Sequence, residues 1–269
     1  MTAEAIASAR RILAIVLRHF YLYRSSWPRV VELVYWPTMQ MALWGFITLF
    51  LITKSSWIAQ AAGVLLSAVL LWDVLFRGQL GLSLSFLEEI WSRNLGHLFV
   101  SPLRPAEFVA ALVLASLIRT VIGVGGASIL AYAMFDYSIL SLGLPLIAFF
   151  LNLIVFGWSI GLMVSGLILR HGQGAESLAW AAIFLIQPVS GVYYPIDVLP
   201  EVLQAVSKGL PSSYVFEGMR AVVIDGVFRS DFLAYAAGLN LVYLAIGAAS
   251  FVAHLRLARN RGLILQIGE

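Results

Sequence analysis

The sequence predicts an all-α membrane protein with six transmembrane helices, and three observations lead there. Of its 269 residues 61% are hydrophobic and only 12% charged, against roughly 45–50% and 25% in a soluble domain. The apolar residues gather into runs near the ~20 residues that a helix needs to cross a hydrocarbon core. The net charge of +3 comes from arginines flanking those runs rather than from one basic patch, which argues for a bilayer and against nucleic acid.

Taken in order, residues 5–24 place Leu13, Val16, Leu17 and Phe20 on one helical face and Arg10, Arg11 and Arg18 on others, with no run long enough to span. This suits an amphipathic helix lying in the membrane interface with its arginine stems reaching toward phosphates; a tail helix in water shares the pattern. Spans are expected at 31–53, where Pro37 should kink the helix, and at 57–76. Further spans follow at 108–132, 143–169, 178–192 and 232–255, the fifth being short and ending in Gln187-Pro188. The first span is expected to stay as an anchor, because it follows about thirty residues with five arginines and lacks a small-residue cleavage site.

This layout puts Arg10, Arg11, Arg18, Arg24, Arg29, Arg77, Arg93, Arg104, Arg170, Arg256, Arg259 and Arg261 on one side. The other side holds Lys54, Lys208, Arg220 and Arg229. Both termini are therefore expected in the cytoplasm of a multi-pass protein of a bacterial inner membrane. Trp27, Trp36, Trp57, Tyr132, Tyr193 and Tyr194 fall near span ends, where amphipathic rings settle at headgroup level. No repeat or linker divides the chain, so 1–269 is read as one domain.

Two segments do not fit hydrocarbon. Between the second and third spans, 87–108 carries Glu88, Glu89, Arg93, Arg104 and Glu107 with two prolines, so it is expected in water. Trp91, Leu95 and Leu98 recur there at helical spacing and describe a short amphipathic helix over 88–100, stopped by Ser101-Pro102. Between the fifth and sixth spans, Val198, Val202, Leu203 and Val206, then Val215, Met219 and Val222, mark two short helices over 195–225. These should fold back toward the outer face, partly re-entrant, with Ser212 or Ser213 capping the second and Glu217 and Arg220 one turn apart on it.

Cysteine is absent and the four histidines are scattered, which excludes disulfides and gives no metal cluster. No G-x-x-x-x-G-K-[S/T] loop and no Ser/His/Asp or H-E-x-x-H set exists, so the chain is not expected to be an enzyme or to hold a cofactor. Arg119 lies deep in the third span, where a lone cation costs about 2.5–3.5 kcal/mol, and needs a partner; Asp73 is one candidate. Interior or dimer-interface packing and a substrate contact are both open for it. Asp73 and Arg77, one turn apart, can neutralise each other. Gly123, Gly125 and Gly126, with Gly157, Gly161 and Gly166, allow close helix contact.

RNLGHLFVSPL at 93–103, PVSGVYYPIDVLP at 188–200 and PSSYVFEGMR at 211–220, in that order on six spans behind an amphipathic N-terminal helix, resemble the type-2 ATP-binding-cassette exporter permeases. The similarity covers nearly the whole chain. It implies a two-fold dimer, each copy bound on the cytoplasmic side by a separate ATPase that holds ATP and Mg. It also implies a coupling helix that meets the ATPase, here Glu88, Glu89, Trp91, Arg93, Leu95, Gly96 and Leu98, whose Trp91/Leu95/Leu98 face would dock. An outer gate would include Pro195, Pro200, Pro211, Tyr214, Glu217 and Arg220. The implied function is export of an amphiphile, whether glycan, lipid-linked or a hydrophobic small molecule. The rival reading is an ATP-independent channel or secondary carrier, which would show inverted repeats and several midplane charges. A membrane enzyme or scaffold would need polar clusters or a sizeable soluble portion.

Overall fold

The computed structural model describes residues 3–52 and 56–262, without the side chains of 51–52, 56–62 and 173. Lys54, the end of the first expected span at Thr53 and the Trp57 ring thus lie outside what is described. Among the described residues there are ten α-helices: α1 Ala3–Arg24, α2 Trp27–Ile52, α3 Ser56–Trp91, α4 Leu95–Val100, α5 Pro105–Phe135, α6 Leu144–His171, α7 Glu176–Ile186, α8 Glu201–Lys208, α9 Pro211–Arg220 and α10 Ser230–Asn260. No strand occurs among the described residues.

Among the described residues four helices are long and apolar enough to cross a membrane, Gly63–Trp91 in α3 with α5, α6 and α10. The chain is thus a multi-pass membrane protein. α2 has 26 residues and runs on through Pro37, but Arg29, Glu32 and Gln40 dilute its apolar character. The fifth expected span is a finding of a different kind. α7 has only 11 residues and so covers about 16 Å, half of a ~30 Å hydrocarbon core. It passes into a 3-10 turn at Gln187–Val189, because Pro188 has no N–H to continue the ladder.

The second span also differs from its expected end at 76. α3 continues unbroken to Trp91, since Arg77 does not leave the bundle but bonds Asp73 one turn earlier at 2.7 Å. The helix expected over 88–100 is accordingly two pieces: Glu88–Trp91 close α3, Arg93 turns left-handed at φ 53°, and α4 starts at Leu95.

α3 is the axis of the bundle, and small residues set how closely its neighbours approach. A Cβ on Gly157 of α6 would stand 2.8 Å from the Leu75 carbonyl oxygen and 2.9 Å from the Gln79 nitrogen. On the other side of α3, Ser116 of α5 donates to the Gly78 carbonyl at 3.1 Å and accepts from Trp158 Nε1 at 3.2 Å, joining α3, α5 and α6. Asn240 of α10 donates to the Asn152 side chain of α6 at 2.9 Å. Hydrogen bonds of this kind and close backbone approach are what hold helices together where lipid offers no hydrophobic drive. Gly125 of α5 meets nothing within 4 Å, so not every glycine singled out in the sequence is a packing residue.

Gly157→Val should therefore lower the melting temperature of the purified protein, at a cost of about 2 kcal/mol from overpacking. Gly125→Ala should leave it unchanged or raise it slightly. Equal melting of both variants would remove the α3/α6 seam from this account.

Candidate functional site

Two polar assemblies lie at opposite ends of the bundle. The first surrounds α4. Glu89 has no solvent exposure and Glu88 little, although the sequence placed both in water. They are held by side chains from α1, α2, α5 and the turn before α4. Arg18 of α1 pairs with Glu89, and Asn94 donates to its other oxygen at 2.8 Å. Arg119 of α5 donates to Glu88 at 3.3 Å and to the Gly81 carbonyl at 3.4 Å. Arg29 of α2 stands 3.9 Å from Glu88, and the buried His19 ring lies between the two carboxylates at 3.4 and 3.5 Å. The partner that Arg119 needed is thus Glu88, not Asp73, because α3 carries Glu88 into the same buried layer.

The Arg119 guanidinium also covers the Tyr23 ring at 4.3 Å. Burial pushes the Tyr23 phenol up to about 12, so it stays neutral there.

α1 is fixed by a repeating pattern. Glu4, Arg11 and Arg18 lie seven residues apart, two turns each, and therefore on one face. Glu4 accepts from Arg104 at 2.6 Å, and Arg11 bonds Glu107 with both prongs at 2.8 and 2.6 Å, while Arg18 holds Glu89. The fork-on-carboxylate geometry at Glu107 is the strong form of the interaction; Arg11 is raised by it. Arg11 and Arg18 thus serve the protein rather than lipid phosphates. The apolar residues Leu13, Leu17 and Phe20 face outward, as an interface helix requires.

Of the residues expected to dock a partner, Leu95 is buried at 2% exposure and Leu98 and Gly96 are half-buried. Trp91 and Arg93 are exposed, as a docking surface requires, and His97 and Val100, the last 90% exposed, join them. The expected Trp91/Leu95/Leu98 stripe is not one face, because the chain turns at Arg93 between α3 and α4 and Leu95 enters the core.

The second assembly is the turn between α7 and α10. Arg220, buried at the end of α9, donates to the Gly191 carbonyl at 2.7 Å and to Glu217 at 2.9 Å. Glu217 in turn accepts from the Ile196 N–H at 2.9 Å. Gly191 sits at φ +63°, a conformation other residues reach at a cost. Pro195 and Pro200 precede a 3-10 turn and α8, and Pro211 opens α9. Ser212 and Ser213 do not cap that helix; they bond Ser190 and the Val189 carbonyl, tying α9 to the turn after α7. Tyr214 donates to the Lys208 carbonyl at 3.0 Å and stacks on Tyr235 of α10. Tyr193 is stacked on Trp44 of α2 at 4.3 Å rather than standing free as an anchor.

The electrostatics separate two kinds of pair. Glu89→Ala leaves Arg18 and Asn94 without their buried acceptor and should cost about 3–5 kcal/mol by thermal or chemical unfolding. Arg104→Ala, at an exposed pair, should change melting little. An intact melting temperature in Glu89→Ala would contradict the buried layer.

Among known proteins, the family described as ABC-2 type transporter matches residues 11–224. Over 116 residues the chain is 31% identical to the linearmycin resistance permease protein LnrN of Bacillus subtilis (strain 168). That stretch is 42% of this chain and 28% of the relative, so the match spans less than a third of that protein. The family match runs from within α1 through both polar assemblies to the π-helical turn after α9. This chain belongs to the ABC-2 type transporter family and is a membrane subunit of an ABC transporter.

Proposed function

We propose that two copies of this chain form the translocation path of an exporter, each copy bound by a separate cytoplasmic ATPase that hydrolyses ATP with Mg. In this reading both termini face the cytoplasm of a bacterial inner membrane, and α2 and α7 complete six spans with the four full-length ones. The passenger is an amphiphile. A relative named for resistance to linearmycin favours a compound that the cell must remove over a structural glycan.

The observation that carries the reading is the strapping of α1, the end of α3, α4 and the start of α5 into one body by Glu4–Arg104, Arg11–Glu107 and Arg18–Glu89. A push on the exposed side of α4 cannot be absorbed locally, because Leu95 is in the core and Asn94 is bonded to Glu89. It must move α3 and α5 together. Such a rigid element is what conversion of ATPase closure into helix motion needs. At the far end, Arg220 and Glu217 would hold the turn around Gly191 closed until α9 shifts.

Purification of the tagged chain from native membranes in mild detergent should bring with it a stoichiometric ATPase carrying a phosphate loop. Repeated isolation of the folded chain alone would sink the proposal. Val100→Asp should abolish ATP-driven transport with melting unchanged, whereas Leu95→Asp should fail to fold. Full transport by Val100→Asp would move the docking surface elsewhere. Arg220→Ala leaves the Gly191 carbonyl and Glu217 unpaired, and should let a small polar dye leak through proteoliposomes without ATP; tight vesicles would remove Arg220 from the gate.

A further inference from the structure

A cavity of about 290 Å³ opens beside the α4 platform, between α2, the second half of α3, α5 and the first turns of α7. Its charged lining is balanced, Arg29, Arg77 and Arg119 against Glu32, Glu88 and Glu176. The deeper charges are engaged, Arg77 with Asp73 at 2.7 Å and Arg119 with Glu88 at 3.3 Å. The outer carboxylates are not. Arg29 reaches Glu88 only at 3.9 Å, a loose pair, and Glu32 and Glu176, both exposed, make no ion pair among the described residues. Arg119 also keeps a buried Nε–H with no acceptor in the protein.

Arg29, Glu32 and Trp36 recur at three- and four-residue spacing and so share one face of α2. Opposite them Phe76 and Trp180 pack at 6.1 Å, and Trp180 stacks on Phe184, which is exposed further along α7. One opening therefore presents a loosely paired arginine and an unused Arg119 N–H, free negative charge, and aromatic faces that lead onto an apolar surface.

A purely anionic group entering here would face Glu32 and Glu176; a purely cationic one would face Arg29 and the unused Arg119 N–H. Either meets like charge at the mouth that it cannot match, which disfavours it. A head carrying both signs satisfies both sets, and its ammonium gains from the Trp faces. We propose that this cavity binds the zwitterionic head of an amphiphile. Its phosphate or carboxylate lies toward Arg29 and Arg119, its ammonium toward Glu32, Glu176 and the tryptophans, and its tail along Phe184 and Leu185. Calling that ligand the passenger rests on the exporter reading; the binding itself does not.

The test uses the full chain in maltoside micelles and three octyl amphiphiles below micelle formation: octylphosphocholine, octyl phosphate and octyltrimethylammonium. Tryptophan fluorescence reports occupancy, because Trp36, Trp91 and Trp180 line the cavity. Octylphosphocholine should bind saturably, about tenfold tighter than either singly charged analogue, roughly the effect of one desolvated charge or cation–π contact. The double variant Glu32→Gln, Glu176→Gln, at exposed positions, should bind it no better than octyl phosphate. Equal affinity for all three on the unaltered chain, or an unchanged affinity in the double variant, overturns the proposal. Added phosphatidylethanolamine separates the sources: competition identifies a membrane lipid as the natural occupant, and its absence identifies an amphiphile delivered from elsewhere. Failure to recover an ATPase would remove the exporter reading while leaving this result standing.

Discussion

Two neighbouring carboxylates, Glu88 and Glu89, are taken out of water at the end of α3, and the arrangement of the whole α4 end follows from the need to compensate them. An ion moved into a low-dielectric interior costs several kcal/mol, and two of like sign add repulsion. The bundle meets this with Arg18 from α1, Arg29 from α2 and Arg119 from α5. Remove the carboxylates and three helices lose their reason for standing where they do. A helix such as α1, whose apolar face is turned outward, would otherwise rest on lipid in any orientation about α5. The seven-residue spacing of Glu4, Arg11 and Arg18 fixes one.

The membrane class and the positions of α5, α6 and α10 were legible in the sequence, because hydrocarbon imposes a length and an apolar content that composition records directly. The half-length of α7 was legible in part, through Gln187-Pro188. What was not legible is what depends on partners distant in sequence. A charged stretch after an apolar run reads as solvated unless its counter-charges are known, and those of Glu88 and Glu89 lie between 31 and 71 residues away at Arg119 and Arg18. The same limit applies to Leu95: helical spacing put it on one face with Trp91, but the turn at Arg93 separates the two, and spacing does not say which side of α4 meets Phe108 and Phe86, the aromatic layer that Phe99 joins. In the outer segment the Glu217–Arg220 pair was readable because it is local, whereas the Gly191 carbonyl that Arg220 holds is 29 residues distant.

The two polar assemblies are joined by helices too closely packed to slide independently. α3 carries the platform and meets α6 at Gly157 and Gly161 with backbone almost against backbone. α6 meets α9 where Phe149 lies on Gly218, two residues before Arg220. α9 holds the turn at Gly191. Interiors at this density shift as blocks rather than deform smoothly, so a displacement of α3 against α6 would be felt at Arg220. On the exporter reading this gives the outer turn a mechanical link to the face that an ATPase would touch, without a soluble domain to bridge them.

The cavity beside the platform shares Glu88, Arg29 and Arg119 with it. A charged head that draws on Arg119 or Arg29 competes for the carboxylate on which α1 and α2 lean. Ligand and platform are then linked, and linkage between two binding events is reciprocal: whatever repositions α1 and α3 must alter affinity in the cavity by the same free energy with which the ligand repositions them. A site built only of apolar side chains would be indifferent to the state of the platform. Placing shared charges at the junction lets occupancy of the cavity be sensed at the α4 platform.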